Sequence, residues 1–216
     1  MSDRVVDLAA RRVQYESAGL DVADVAADPV AQWHRWYGDA ATAGVAEPNA
    51  MVVATVDSSG APDARFVLAR GFDERGVVFY TNLKSVKSRQ LAAAPVAAAV
   101  FTWLDLHRQV RVRGPVTPAT DEEADAYFAS RPRGSQVGAW ASPQSEAIDD
   151  RATLDALVES VEERFAGAAV PRPPFWGGWR VGLDEVEFWQ GRPSRLHDRI
   201  CYTRDAATWQ ITRLAP

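Results

Sequence analysis

With one cysteine, Cys201, in its 216 residues, the chain can form neither an internal disulfide nor a multi-cysteine metal site, and it suits a reducing compartment. Histidine is nearly as scarce. Only His34, His107 and His197 occur, and they share no His, Cys and carboxylate spacing that would hold a metal. No apolar run approaches the roughly 18 residues of a membrane span, and the opening "MSDRVVDLAARR" lacks the apolar core of a secretory signal, so a cytoplasmic location is expected. An excess of positive charge is missing as well. At a formal charge of −5 the chain as a whole does not attract nucleic acid or anionic membrane, and any anion site must come from local clustering of Arg and Lys. A Gly-rich phosphate loop after a strand and a nucleophile elbow are also absent, which leaves hydrolases and zinc enzymes little support.

What is present is an ordinary soluble composition, 47% hydrophobic and 25% charged, enough to bury a core without staples. In "ADPVAQWHRWYGDAATAG", Asp28 is a candidate N-cap and Pro29 the first helical residue, with Val30, Trp33, Tyr37 and Ala40 at helical spacing. The stretch "MVVATVDSSGAPDARFVLARGFDERGVVFYTN" breaks β-branched and aromatic runs at "DSSG" and "DERG", and predicts a three-stranded meander. "SVKSRQLAAAP" predicts a short helix stopped at Pro95, followed by the strand pair "VAAAVFTWL" and "RQVRVRGPVTP". A helix capped by Thr120 or Asp121 follows, with Tyr127 and Arg131 four residues apart on one face. "SQVGAWASPQS" reads as a loop of small and hydroxyl residues, able to touch the rim of a flat heterocycle or to be a plain surface turn. Between Arg151 and Phe165, an apolar stripe of Leu154, Leu157, Val158, Val161 and Phe165 marks a structural helix, and three further strand-like runs close the chain. The expected class is mainly β or α+β: a β-rich barrel or closed sheet with helices outside, in a single domain over 28–216 after a segment 1–27.

Two cationic patterns stand out. In "EFWQGRPSRLHDRI", strand alternation would put Arg195, His197 and Arg199 on one face, a candidate site or a solvated charged face. His34 and His107 carry no such company and read as structural. Separately, Arg65 and Arg70 flank "RFVLAR", Lys84 and Lys87 open the short helix, and Arg108, Arg111 and Arg113 share a strand. Cations beside hydroxyls at a helix N-terminus suit a phosphate, although a solvated basic face would look the same.

The runs "RPRGSQVGAWASPQS", "FWGGWRV", "EFWQGRPSRLHDR" and the terminal "RLAP", in this order, resemble the pyridoxine/pyridoxamine 5′-phosphate oxidase family from about Arg12 to Pro216. The resemblance implies a split β-barrel homodimer that binds flavin mononucleotide (FMN) at the subunit interface and oxidises pyridoxamine or pyridoxine 5′-phosphate to pyridoxal 5′-phosphate, O2 becoming hydrogen peroxide. It places flavin contacts on Arg65, Phe66, Val67, Leu68, Arg70, Tyr80, Thr81, Lys87, Gln109, Gln144, Ser145, Trp189 and Arg199. Substrate phosphate contacts fall on Arg70, Tyr127, Arg131 and Ser135, and the catalytic pair Arg195 and His197 covers the pyridine ring on the side away from the flavin. Arg12 and Tyr15 match a segment that folds over the substrate as a lid. Two positions depart from the family pattern: Arg70 stands for the usual Lys, and Val86 for an Arg at the flavin phosphate. The alternatives are a paralogous flavin oxidase of phenazine-type metabolism, or a non-catalytic carrier of pyridoxal phosphate or flavin.

Overall fold

The computed structural model describes residues 14–15 and 17–216. In chain order the elements are α1 (Pro29–Thr42), β1 (Ala50–Val56), β2 (Pro62–Leu68), β3 (Gly71–Asp73), β4 (Gly76–Asn82), α2 (Val86–Ala93), β5 (Val96–Trp103), β6 (Arg108–Pro118), α3 (Asp121–Ser130), α4 (Arg133–Ala141), α5 (Arg151–Arg164), β7 (Trp176–Val181), β8 (Glu185–Gln190), β9 (Asp198–Asp205) and β10 (Thr208–Leu214). They form two compact units. The larger holds Asn49–Phe101 and Arg111–Glu185, and the smaller holds the described residues up to Pro48 with Thr102–Val110 and Val186–Pro216.

In the larger unit the strands pair in the order β3-β4-β7-β6-β5-β1-β2. The series curls, because Arg70, just past β2, donates its amide to Val78 in β4 at 2.8 Å. The expected three-stranded meander is four strands: the chain breaks at Ala69 and Arg70, and the short β3 pairs only with β4. β1 alternates buried and half-buried residues, the pattern of a strand with one face on a core, and it contributes Met51 and Val53 beside Phe79, Phe101, Val112 and Leu91. β7, "WGGWRV", is buried throughout. Its register sets Gly178 opposite Tyr80, where an added Cβ would come 2.8 Å from the tyrosine ring, so the glycine is the space in which that ring lies. Gly76 (φ +130°) turns β3 into β4 where a Cβ would stand 2.0 Å from the Val181 carbonyl oxygen.

Around this sheet, α3 starts at Thr120, whose hydroxyl accepts from the Glu123 amide at 3.2 Å while the Glu123 carboxylate accepts from the Thr120 amide at 3.1 Å. Phe128, Val137, Val170 and Trp176 form a second core, with Val158, Val161 and Phe165 packed against it. The stripe on α5 is thinner than its spacing suggests: Leu157 is exposed, and no residue of α5 is fully buried. The "SQVGAWASPQS" loop is a helix for more than half its length, because α4 runs to Ala141 and buries Val137 and Ala141. Its glycine and small residues had concealed that periodicity.

In the smaller unit the strands pair in the order β8-β9-β10, with β9 and β10 antiparallel. Asp28 caps α1 by accepting from Val30 and Ala31 at 2.8 and 3.1 Å, and the helix buries Trp33, Trp36 and Ala40. Trp36 meets Phe188 edge-on at 5.2 Å, and Phe188 meets Tyr202 at 5.5 Å. Each such buried aromatic contributes about 2–3 kcal/mol of transfer free energy. The Tyr202 hydroxyl donates to the Ala26 carbonyl at 2.6 Å, and burial raises its pKa. His34 is exposed, and His107 sits at positive φ (53°) in a turn. Among the described residues no helix is long and apolar enough to cross a membrane, and no cluster of His, Cys, Asp and Glu could hold a metal.

Candidate active site

The larger unit carries a cleft of about 440 Å³, within the usual size range for a small-molecule pocket. One wall is β2, with Arg65, Phe66, Val67 and Leu68, followed by Arg70; the floor is Tyr80, Thr81 and Asn82 at the end of β4, with Lys87 of α2. Tyr127, Arg131, Ser135, Gly138, Ala139, Ser142, Gln144 and Trp176 close the other side. Twelve of the residues named from sequence thus meet here, and Arg65–Leu68 do so because β2 is the last strand of its series, with Phe66 73% exposed. Ser145 does not line the cleft. It follows Gln144 at positive φ (73°) and is exposed.

Three flat rings stack inside. Tyr80 lies 4.5 Å from Tyr127 and 5.5 Å from Trp176, with interplanar angles of 21° and 8°. Guanidinium groups sit over this stack, Arg70 over Tyr127 at 5.3 Å and Arg131 over Trp176 at 4.9 Å. The planar fork at position 70 stacks where the ammonium of a lysine would offer only a point charge. Trp176, Asn82 and Ser142 belong to the cleft and were missed from sequence, although the "FWGGW" run holds the tryptophan; its role depends on the cross-strand register that brings it to Tyr80.

The cleft is short of negative charge. Arg131 Nη1 is buried with no hydrogen-bond partner, and no described carboxylate pairs with Arg131 or Arg70. Burial is the main cause that lowers the Arg131 pKa, and the Arg70 charge adds to it. A guanidinium keeps its proton regardless, so this strain is an attraction for an incoming anion. Lys87 is buried too. It donates to Thr81 Oγ1 at 3.3 Å and Ser85 Oγ at 3.5 Å, and burial, then the Arg65 charge, lowers its pKa while Asp63 opposes them weakly. Arg65 itself is engaged with Asp63, Thr55 and Gln90. Thr81 donates to Gln144 Oε1 at 2.9 Å, which joins the β4 end to the segment after α4. Ser85 precedes α2 without capping it through its side chain, so that helix presents first-turn amides near the Lys87 ammonium. Val86, at the first position of α2, is half-buried and supplies no charge.

The other named residues belong to the smaller unit, and their geometry corrects the strand-face reading. β8 ends at Gln190, and a 3₁₀ turn over Pro193–Arg195 with positive φ at Ser194 and Arg195 intervenes before β9 starts at Asp198. Arg195 and His197 therefore lie on a loop, and only Arg199 is on a strand. Strand alternation does not pass through a left-handed turn. Arg199 is held by the buried Glu187 at 2.7 and 3.1 Å and donates to the Ala215 carbonyl. His197 sits 4.5 Å from Trp189 and 5.9 Å from Tyr15 between ring centroids. Burial, then the charge of Arg195, lowers its pKa, so the imidazole is neutral at pH 7. Gln109 is half-buried in β6. Arg12 lies outside the described residues.

Comparison with known protein families adds a match to the model described as pyridoxamine 5′-phosphate oxidase over residues 38–165, and to the pyridoxine 5′-phosphate oxidase C-terminal dimerisation region over 176–216. The chain belongs to the pyridoxamine 5′-phosphate oxidase family. Its fold is the family's FMN-binding split barrel, and its class is that of flavin oxidoreductases. Pyridoxine/pyridoxamine 5′-phosphate oxidases from Burkholderia ambifaria and Burkholderia multivorans are each 57% identical over 212 residues, 97% of this chain and 99% of theirs. Among solved structures, PhzG from Burkholderia lata in complex with tetrahydrophenazine-1-carboxylic acid matches 94% of this chain and 100% of its own at 32% identity and TM-score 0.86. A family-related FMN-binding protein from Nostoc punctiforme matches 85% of this chain and 97% of its own at 18% identity and TM-score 0.69, a likeness of fold.

Proposed function

We propose that the protein is an FMN-dependent oxidase that converts pyridoxamine or pyridoxine 5′-phosphate to pyridoxal 5′-phosphate with O2 as acceptor, releasing hydrogen peroxide, and that it works as a cytoplasmic homodimer with flavin at the subunit interface. The observation that carries this reading is the pair of guanidinium groups without carboxylate partners, Arg70 and Arg131, in a cleft lined by stacked rings. Such a pair takes a phosphate bidentately, and Tyr127 and Ser135 add hydroxyl donors from the same wall. The flavin, when bound, supplies the hydride acceptor and the reaction with O2. The Lys87 ammonium, the α2 amides and Arg65 would hold its phosphate, and Gln144, Ser145, Gln109, Trp189 and Arg199 the remainder. Arg195 and His197 would press the pyridine ring against it, a positioning role that shortens the approach of the donor carbon. With Nδ1 engaged by a backbone amide and the ring neutral, His197 presents an N–H and so orients the substrate as a donor. Tyr15, with Arg12, would close over the bound substrate.

The likeness to PhzG supports a second reading, oxidation of a reduced tricyclic carboxylate, because two guanidiniums accept a carboxylate as readily as a phosphate. Oxygen uptake and peroxide release decide between them. The FMN-loaded protein is given pyridoxamine 5′-phosphate, pyridoxine 5′-phosphate and a dihydrophenazine carboxylate in turn. The first reading expects turnover of a vitamin phosphate. Turnover of the tricycle alone supports the second, and binding of pyridoxal 5′-phosphate with no peroxide from any substrate would make the protein a carrier.

A further inference from the structure

One residue that the family pattern leaves without a role sits between the two parts of the substrate-covering set in the smaller unit. The backbone N–H of Arg192 donates to His197 Nδ1 at 3.1 Å. That nitrogen is therefore the unprotonated one, and the neutral ring carries its proton on Nε2. The Arg192 side chain turns the other way: Nη1 donates to the Ser17 carbonyl and Nε faces Asp198 Oδ2 at 3.5 Å. Asp198 extends the hold on the same segment, because Oδ2 also accepts from the Leu20 amide at 3.0 Å. Ser17 donates to the Gly191 carbonyl and accepts from Gln190 at 3.1 Å. Two residues before Ser17, the Tyr15 ring stacks on His107 at 4.2 Å, in the space that Gly191 leaves open; a Cβ there would stand 2.6 Å from Tyr15 Cδ2.

We infer that Arg192 is a positioning residue that couples the two: its main chain sets the tautomer of His197, and its guanidinium clamps residues 17–20 so that Tyr15 stays beside that imidazole. This rests on the functional reading above for what the clamp serves. The geometry of the clamp does not depend on it. Arg192 lies outside the residues assigned to the substrate phosphate and outside those assigned to the flavin. Its loss should therefore be felt in how well the substrate is covered, with flavin retained.

Two measurements test the inference. In the flavin-free protein, hydrogen exchange of the peptide containing Leu20 should be about tenfold faster in Arg192→Ala than in the parent and nearly restored in Arg192→Lys, since local opening tracks the lost tether. Nitrogen-15 spectra of His-labelled protein should show His197 protonated at Nε2 in parent and Ala variant alike, because the amide survives the substitution. Unchanged exchange, or a proton on Nδ1, overturns the inference whatever the protein oxidises. In the loaded enzyme, Arg192→Ala should raise KM for pyridoxamine 5′-phosphate about tenfold with kcat within about twofold, the size expected from one charge-assisted contact. The effect should vanish in a Tyr15→Ala background, because the two residues act through one segment. Additive effects of the two substitutions would mean that Arg192 does not act through Tyr15. Failure of the parent to oxidise any vitamin phosphate would sink the functional reading and leave the exchange and tautomer results standing.

Discussion

At the scale of single residues, the cleft is defined by charges that the fold leaves without partners. Arg131 has a buried Nη1 with no acceptor, a state that costs about 1–3 kcal/mol. Replacing it with Met, which keeps the stem packed on Trp176 and removes the unpaired donor, should leave the ligand-free protein as stable or raise its Tm by about 2–4 °C, read by thermal melts. Excess pyridoxal 5′-phosphate should then raise the Tm of the parent and barely raise that of the variant. Lys87 gives a second expectation, with its sign fixed by linkage. Its pKa in the empty protein lies below the ordinary 10.5, chiefly through burial and then through Arg65 on β2, with Asp63 of the same strand opposing, and a bound phosphate raises it again. FMN affinity should thus be full at neutral pH and fall as pH rises through the lowered Lys87 value, by at most about tenfold per unit. Titrations with FMN and with phosphate-free riboflavin check this, and equal slopes for both ligands would contradict it. The residues that carry these charges were legible in the sequence as cations near hydroxyls. Their lack of carboxylate partners was not, because it depends on which acids the fold sends elsewhere: Glu123, three residues into α3, pairs with Arg75 and Arg180 and leaves Arg131 alone.

Local chemistry made some elements readable and hid others. Asp28-Pro29 and Thr120 with Glu123 are capping signals, and α1 and α3 start where those signals place them. "VAAAVFTW" and "RQVRVRG" alternate as strands and are β5 and β6. The 3₁₀ turn at Pro193–Arg195 was hidden, since a serine and an arginine at positive φ leave no mark that sequence alone reveals. α4 was hidden by its glycines. At the start of α2, the half-buried Val86 occupies the first helical position beside uncapped amides, where a cation would add a charge-assisted contact to a phosphate worth about 1.5–3 kcal/mol. Val86→Arg should accordingly tighten FMN binding by about one to two orders of magnitude and raise the Tm in excess flavin, with turnover at saturating flavin almost unchanged. Equal or weaker binding in a fixed-salt titration would show that Lys84 or Lys87 already satisfies that anion.

For the whole molecule, fold class and family were readable because they rest on summed patterns: many short strands, turn punctuation between them, and long motifs in a fixed order. The division into two compact units was not, since the chain crosses between them within β5 and β6 without a linker. The overall charge of −5 is likewise silent about a cleft whose unpaired groups are cationic, and only local structure reveals it. The account rests on one claim at this scale, that the protein is an oxidase which selects its substrate by a phosphate held between Arg70 and Arg131. The most direct test is the ratio of kcat/KM for pyridoxamine 5′-phosphate to that for pyridoxamine, followed by peroxide release from the FMN-loaded protein. Two charge-assisted contacts predict a ratio of about 10² to 10⁴ in favour of the phosphate. A ratio near one, or no peroxide from either compound, would contradict the account.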